Sequence, residues 1–590
     1  MQNDIILENK IMYQALLHGA RSVIKQKHIL NELNVFPVQD KDTGNNLSAL
    51  MQAIIQQAKI GQTIDETLES IADAALMGSR GNSGLIFSQF LYGFTKTYAG
   101  DHAYSDFIRR VESGVKYAYG SVNNPVEGTM ITLMRKWGEL LKTEQFNHDS
   151  FEAYLLDVNA KLKIALETTK DELEILKKHD VVDAGALGFT LFVEGFVESL
   201  FNKLPNTQII DVEIKHDLEQ IHVHDETINY RYCTEVLLQT SITKQELTNK
   251  LKAYGDSLVV GESTRLKRVH IHTNNPETII EAMRPLGQIL ETKVDDMKKQ
   301  YEAINEKQYD TCILTDSIAD LPKSFIDSNP IHVFPIGLNL DDVVYFDKLT
   351  ITNKQLFEYI KHAGQYPSSF TPSIKAIDAQ ISFLSKHYKH IIIATVSSKM
   401  SGIHNLFNKV IETYKQTDIL LIDTKQNSVS EGLIIHELST WITLGKTFKE
   451  IKVAYAALLK RTQILVHVDT LDNMVRSGRI KKSLGLVGKL LHLKPVVSID
   501  TSGEGIVLAK SIGQNNNFKK ILKIVQQTHK HYGIHKYAIV HVSNLKLAEK
   551  LKTEIIKSTG VAPEYVGGLS SIIAMNSGIG SVAVGIIRKV

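Results

Sequence analysis

Cysteine is scarce in this chain: Cys233 and Cys312 are the only two in 590 residues. Two thiols cannot build a disulfide framework, and these two fall in segments that read as separate domains, so reduced thiols in a cytosolic protein are expected. Proline is low as well, at 12 residues, about 2 per cent against the usual ~5 per cent. That argues against long linkers and for abutting domains. Charge of one sign is missing: 67 Lys and Arg face 65 Asp and Glu, for a net charge of +2. A strong global field for nucleic acid or anionic membrane is thereby excluded, although a local basic patch is not. Long apolar runs are lacking too. The opening MQNDIILENK has no basic stretch leading into an apolar one, as a signal peptide requires. Ser570–Ile587 approaches the length of a membrane span, but Asn576, four serines and three glycines interrupt it. A short helix, a Gly-rich turn and a final buried strand explain it better. The expectation is a soluble, cytoplasmic protein with no transmembrane segment and no nucleic-acid partner.

What is present is globular composition, 43% hydrophobic and 22% charged, in a length that allows three to five domains. The first 200 residues carry apolar positions at helical spacing, as in Ile64–Leu76 and Phe151–Leu176. Between such stretches lie Gly/Asn/Asp segments at 40–46, 78–84, 124–129 and 183–188, which predict interhelix loops gathered at one end of a bundle. From 207 to 305 the pattern predicts strands at Tyr230–Thr240, Asp256–Val260, Arg268–Thr273 and Gln288–Lys293, with helices at Lys244–Tyr254 and Pro276–Arg284. That β-α-β-β-α-β order predicts a small ferredoxin-like sandwich. Beyond 310, strands such as Thr311–Leu314, His390–Thr395 and Tyr537–Val542 alternate with helical stretches, predicting one α/β domain or two α/β lobes.

The strongest local signal is Asn34-Val35-Phe36-Pro37-Val38-Gln39-Asp40-Lys41-Asp42-Thr43-Gly44-Asn45-Asn46. Two carboxylates one residue apart, followed by Thr-Gly-x-Asn, suit Mg²⁺ shared with a phosphate chain; an Asx-rich turn capping the next helix explains the spacing equally well. Arg80-Gly81-Asn82-Ser83-Gly84 leads into an apolar helix predicted over Leu85–Phe94, and a Gly-rich turn at a helix N-terminus can hold phosphates. It has neither P-loop nor dinucleotide-site spacing. In the middle segment Cys233 lies in YRYCTEVLL, and His270 and His272 lie in RVHIHTNNP. Residues i and i+2 of a strand share a face, so one thiolate and two imidazoles can meet a Zn²⁺ ion. Histidines on a half-exposed strand are the plainer alternative.

In this order the motifs of residues 1–205 resemble the nucleotide-binding domain shared by the ATP-binding subunit of dihydroxyacetone kinase and the catalytic subunit of bacterial fatty-acid kinase. The second is the nearer match, through NVFPVQDKDTG, GSRGNSG, VEGTM and VVDAGALG. The resemblance implies an all-α, eight-helix barrel binding ATP and Mg²⁺ at one mouth. Asp40 and Asp42 match its catalytic, metal-binding aspartates, and Thr43, Gly44, Asn45, Asn46, Asn82 and Ser83 match phosphate-loop positions. Gly128, Thr129 and Met130 match the adenine side, and Asp183 with Gly185 the last nucleotide loop. Lys41 stands where the family usually has Gly, and Asn45 where Thr is common. Residues 206–307 resemble the middle domain of the same kinase, which implies a zinc site at Cys233, His270 and His272.

In residues 308–590, Thr315-Asp316-Ser317, the turn predicted at 367–373, Ser397-Ser398-Lys399-Met400-Ser401-Gly402 and Ser477-Gly478-Arg479-Ile480 each read alone as an N-cap or turn. Together they resemble the DegV family of fatty-acid-binding proteins, whose members bury one acyl chain between two α/β lobes and hold its carboxylate with hydroxyls. Ser369, Ser397, Ser398 and Ser401 match the carboxylate-binding positions, and Arg479 lies near the surface that docks the kinase subunit. Phe370-Thr371 replaces the usual Ser-Gln, and Asn576 replaces a His.

Together these resemblances imply a fused fatty-acid kinase: an all-α barrel, a small α+β domain and a two-lobed α/β lipid binder. It would phosphorylate the carboxylate of a fatty acid held by its own third domain, giving acyl phosphate for phospholipid synthesis. A homodimer and transient contact with a membrane surface for lipid delivery stay open. Two other readings also stay open: a nucleotide- and lipid-binding sensor without turnover, and a dihydroxyacetone-type small-molecule kinase.

Overall fold

The helical periodicity of the first 200 residues becomes, among the described residues, eight long helices and two short ones. They are α1 (Asn9–Lys25), α2 (Lys27–Glu32), α3 (Thr43–Gln57), α4 (Ile64–Gly78), α5 (Gly81–Phe94), α6 (Ala103–Tyr119), α7 (Met130–Thr143), α8 (Phe151–Glu172), α9 (Glu174–His179) and α10 (Ala184–Leu200). The computed structural model describes residues 9–35, 42–96, 103–122, 125–143, 148, 150–201, 229–479, 493–512 and 514–589. It divides into two units, Met1–Lys298 and Lys299–Val590.

The helical core is aromatic at its centre. Phe87 packs edge-on against Phe192 at 5.0 Å, and Trp137 against Phe189 at 5.7 Å, geometries that the ring quadrupoles favour. Two local expectations change. Phe151–Leu176 is not one helix, because Leu173 is extended (φ −121°, ψ 132°), where the 125–129 turn presses in: a methyl group on Gly128 would come within 2.8 Å of Glu172 Cβ. The predicted loops are largely first helical turns, since Thr43, Gly81 and Ala184 already open α3, α5 and α10. Small polar residues are suited to a first turn, whose N–H groups have no helical acceptor.

The same unit contains β1 (Tyr232–Gln239), α11 (Lys244–Leu251), β2 (Asp256–Glu262), β3 (Leu266–Thr273), α12 (Pro276–Met283) and β4 (Gln288–Asp296). The strands form an antiparallel sheet in the order β2-β3-β1-β4, which is the predicted sandwich. α11 starts at a capping box, Thr243 with Glu246.

In the second unit β5 (Thr311–Asp316), β6 (Ile331–Phe334), β10 (His390–Thr395) and β11 (Asp418–Asp423) form a parallel sheet ordered β11-β10-β5-β6. The run HIIIAT is almost wholly buried, as a covered parallel strand requires. β7 (Gly337–Leu340), β8 (Val343–Phe346) and β9 (Ser368–Phe370) form a three-stranded antiparallel sheet. The turn predicted at 367–373 therefore contains a strand, with Ser369 opposite Leu338. A six-stranded mixed sheet takes in β12 (Thr462–His467), β13 (Leu493–Ile499), β14 (Gly505–Ile512), β15 (Ile534–His541), β16 (Val566–Gly568) and β17 (Val582–Arg588). Residues 570–587 form the predicted short helix (Ser571–Ser577), glycine turn and buried strand. Among the described residues no helix is long and apolar enough to cross a membrane.

Candidate functional site

The first turns of α3, α5, α7 and α10 are linked by close contacts. Asp42 precedes α3, whose start is clamped from α2 and the segment after it. Thr43 N–H donates to Asn34 Oδ1 (3.1 Å) and Asn45 N–H to Asn31 Oδ1 (3.0 Å). Sequence reasoning gave neither asparagine a role, although Asn34 opens the motif. Asp40 and Lys41 lie outside the described residues. Gly81 has φ +58°, and a methyl group there would come within 2.5 Å of Asn46 Nδ2, so α5 starts directly against α3. Asn82 Oδ1 is buried with no hydrogen-bond partner among the described residues, while Ser83 follows it in the same first turn. A methyl on Gly188 would lie 2.4 Å from Leu47, bringing α10 to α3, and one on Gly185 would lie 3.2 Å from Met130, bringing α10 to α7. Gly128 has φ +85°, and its N–H donates to Thr132 (2.9 Å). The Thr129 hydroxyl donates to Val126 O (2.8 Å). Asp183 caps α10 by accepting from Ala186 N–H (2.7 Å), and burial pushes its carboxyl up to about 6. Clustered first turns present N–H groups that have no helical acceptor, a setting that favours a polyanion.

One face of the neighbouring sheet is polar by register. Cys233 pairs with His272 across β1 and β3, and Glu235 pairs with His270, so all four side chains share a face. On β4, Asp295 and Lys293 stand beside Cys233 and Glu235. His270 Nε2 and His272 Nε2 are 3.3 Å apart, and Cys233 Sγ lies 4.0 Å from His270 Nε2. Tetrahedral zinc bonded at about 2.3 Å to sulfur and about 2.0–2.1 Å to nitrogen separates its ligand atoms by about 3.3–3.6 Å. The two imidazoles already have that spacing, the sulfur stands slightly wider, and the three ligand atoms all lie within 4.8 Å of one another, so the donor set can take the ion after a small side-chain shift. His270 Nδ1 lies 3.6 Å from both Glu235 and Cys233 Sγ, and His272 Nδ1 lies 3.5 Å from Asp256. Outer carboxylates of this kind fix the tautomer of a ligating histidine. Burial holds His272 down to about 3, which keeps its imidazole neutral. Burial first, then Glu235, Asp295 and more weakly Asp42, push the Cys233 thiol up.

In the second unit a cavity of about 330 Å³, within the size range of small-molecule sites, brings together Ser369, Ser401, Arg479 and Asn576. Apolar residues such as Ile336, Val396, Ile464, Val497 and Ile572 make up much of the rest of its wall. Arg479 Nη2 lies 3.4 Å from Ser369 Oγ. Asn576 Nδ2 donates to Ile572 O (2.7 Å). Ser397 and Ser398 are not in the wall. Ser397 is buried and donates to Gly503 O (2.8 Å), and Ser398 donates to Asp423 (2.6 Å). Their strand-end position turns both hydroxyls into loop anchors. Thr371, Asn427 and Ser428 do line the cavity; Thr371 sits in the replaced Phe-Thr pair, whereas Asn427 and Ser428 gave no sequence signal.

Three families match successive parts of the chain. A DAK2 domain matches residues 37–198, and the FakA-like middle domain of fatty acid kinase matches residues 229–304. The DegV family matches residues 290–589, half of the chain. The chain belongs to the DegV family. The DegV region follows the other two in one polypeptide, the fusion that the motifs imply. An uncharacterized protein of Staphylococcus saprophyticus is 30% identical over 326 residues, covering 52% of this chain and 58% of its own length. One from Staphylococcus epidermidis is 28% identical over 319 residues, with the same shares. The chain thus spans 58% of the length of these relatives. Among solved structures, a fatty acid binding DegV family protein from Streptococcus agalactiae shares 23% identity with TM-score 0.44, covering 48% of this chain and 99% of that one. A second, a DegV family protein from Thermus thermophilus described for its fatty acid binding, shares 21% identity with TM-score 0.45, covering 47% and 99%.

Proposed function

We propose that this chain is a self-contained fatty-acid kinase: residues 1–205 bind Mg·ATP, residues 206–307 form the middle domain, and residues 308–590 hold the acid. The observation that carries the reading is the presence, in one polypeptide, of a DAK2 domain and a DegV region whose cavity has an apolar wall and a polar group of Ser369, Ser401 and Arg479. An acyl chain suits the wall, and a carboxylate can accept from the hydroxyls and the guanidinium.

In this reading Asp40 and Asp42 hold Mg²⁺, whose hard oxygen ligands they match. Asn46, Asn82 and Ser83 cradle phosphate, with Thr43, Gly44 and Asn45 setting the turn. Gly128, Thr129, Met130, Asp183 and Gly185 form the nucleoside side. Phosphoryl transfer relies mainly on positioning and charge neutralisation. A carboxylate is already a nucleophile, so no general base is needed. Cys233, His270 and His272 would hold Zn²⁺, which supplies a fixed charge and rigid cross-strand ligation. Keeping both modules on one chain raises the effective concentration of bound acid to roughly millimolar.

Incubation with Mg·ATP and a long-chain fatty acid should yield ADP and acyl phosphate in equal amounts. ATP consumption without acyl phosphate would defeat the assignment. One observation favours a second reading, a sensor without turnover: Asn576, in the cavity wall, stands where the family has His, and an amide cannot carry positive charge toward a head group. Calorimetry showing both ligands bound with no turnover at any pH would select that reading.

A further inference from the structure

Glu235 stands between the Cys/His cluster and the first turn of α5. Its Oε1 accepts the Gly81 N–H at 2.6 Å, and the same oxygen lies 3.6 Å from His270 Nδ1. Glu235 is 2% exposed, and its other oxygen lies 3.5 Å from Arg268 Nη1. Arg268 is 1% exposed and donates to the carbonyls of Leu76 (3.0 Å) and Met77 (2.9 Å) at the end of α4. Glu291 completes the bracket, accepting from Arg268 (2.8 Å) and Arg80 (2.6 Å). The polar face of the sheet thus grips the α4–α5 turn from both sides.

We infer that Glu235 is a positioning residue that couples metal occupancy at Cys233, His270 and His272 to nucleotide binding at the Asn82–Ser83 turn. The inference rests on the kinase reading above. The link is geometric: one Glu235 oxygen stands between the His270 ring, 3.6 Å away, and the Gly81 N–H, 2.6 Å away. An ion ligated by His270 would fix that ring against the carboxylate, and with it the oxygen that receives the Gly81 N–H. Gly81 at φ +58° sets the direction of the next two residues, and their N–H groups have no helical acceptor. Ordering this turn before nucleotide arrives lowers the cost of binding. Coupling between two binding sites is reciprocal by thermodynamic necessity.

The test is made on the full chain, measuring Mg·ADP affinity by calorimetry with and without one equivalent of Zn²⁺, and Zn²⁺ affinity by chelator competition with and without Mg·ADP. Zinc should tighten Mg·ADP binding by about five- to tenfold, and Mg·ADP should tighten zinc by the same factor. In Glu235→Ala both ligands should still bind while the factor falls to about one; Glu235→Gln, which keeps an acceptor for Gly81, should retain part of it. Hydrogen exchange of the 78–84 segment in the wild-type chain should slow on zinc addition, a readout that needs no variant. Mg·ADP affinity unchanged by zinc, or an undiminished factor in Glu235→Ala, overturns the coupling alone. A chain that binds no nucleotide with or without zinc overturns the kinase reading and the coupling with it.

Discussion

Arg479 and Ser369, 110 residues apart in sequence, meet at the cavity of the second unit, with Arg479 Nη2 3.4 Å from the Ser369 hydroxyl. One cation and one hydroxyl side by side suit a carboxylate, the role proposed for them here. Arg479→Ala should weaken fatty-acid binding by roughly ten- to hundredfold, the scale of a lost hydrogen bond to a charged group. Ser369→Ala should cost less, and Arg479→Lys should restore part of the loss. Displacement of a fluorescent fatty acid measures all three, and unchanged affinity in Arg479→Ala would remove the residue from the head-group site.

Ser401 and Ser397 separate a lining role from a structural one. Ser401 is in the cavity wall, whereas Ser397 is buried and bonded to Gly503 O. Ser401→Ala should lower affinity for the acid with little change in melting temperature. Ser397→Ala should do the reverse, lowering stability by about 1 kcal/mol and leaving the affinity of the folded protein within about twofold. Equal effects of the two on affinity would contradict the placement.

Gly128 is held at φ +85°, and a methyl group there would meet Glu172 Cβ at 2.8 Å. Gly128→Ala therefore incurs left-handed backbone strain of about 1–2 kcal/mol plus a clash. Its melting temperature should fall, and Mg·ADP affinity should fall with it because the turn leads into Met130. A variant as stable as the parent would show that the turn can rearrange freely.

Asp347 is buried, accepts from Ser571 N–H (2.7 Å) and Ser317 Oγ (2.8 Å), and is pushed by burial from 3.8 up to about 6. Asp316 is raised to about 6 for the same first cause. A carboxyl raised on folding binds its proton more tightly in the native state, so its contribution to stability falls as pH rises from about 4 to about 6. Asp347→Asn should flatten that part of the pH profile of thermal stability for the second unit. A slope identical to the wild type would assign the effect elsewhere.

Much of this was legible in one sequence. The pattern over 230–296 marked four strands and two helices although β1 and β3 are buried on both faces, and the run HIIIAT marked a further strand, almost wholly buried. The zinc-type triad was legible because i, i+2 spacing on β3 fixes a common face. Glu235 was not, since its partner Gly81 lies 154 residues away and only cross-strand register puts it beside His270. The motif glycines read as loops because Gly and Asn are poor helix formers in isolation, yet Gly81 and Gly84 sit in a first turn pressed against α3. Ser397 and Ser398 matched a binding motif by position, but the chain direction after β10 turns both hydroxyls into the protein.

The account stands or falls on transfer from ATP to a carboxylate by this chain alone. The direct measurement is hydroxylamine trapping: purified protein, Mg·ATP and a long-chain fatty acid, with fatty-acyl hydroxamate quantified by mass spectrometry for wild type and Asp42→Ala. The account predicts hydroxamate from the wild type, dependent on ATP, and at least a hundredfold less from Asp42→Ala, the scale of losing a group that stabilises transition-state charge. No hydroxamate from a wild-type chain with both ligands bound, or equal yields from the two proteins, would contradict it.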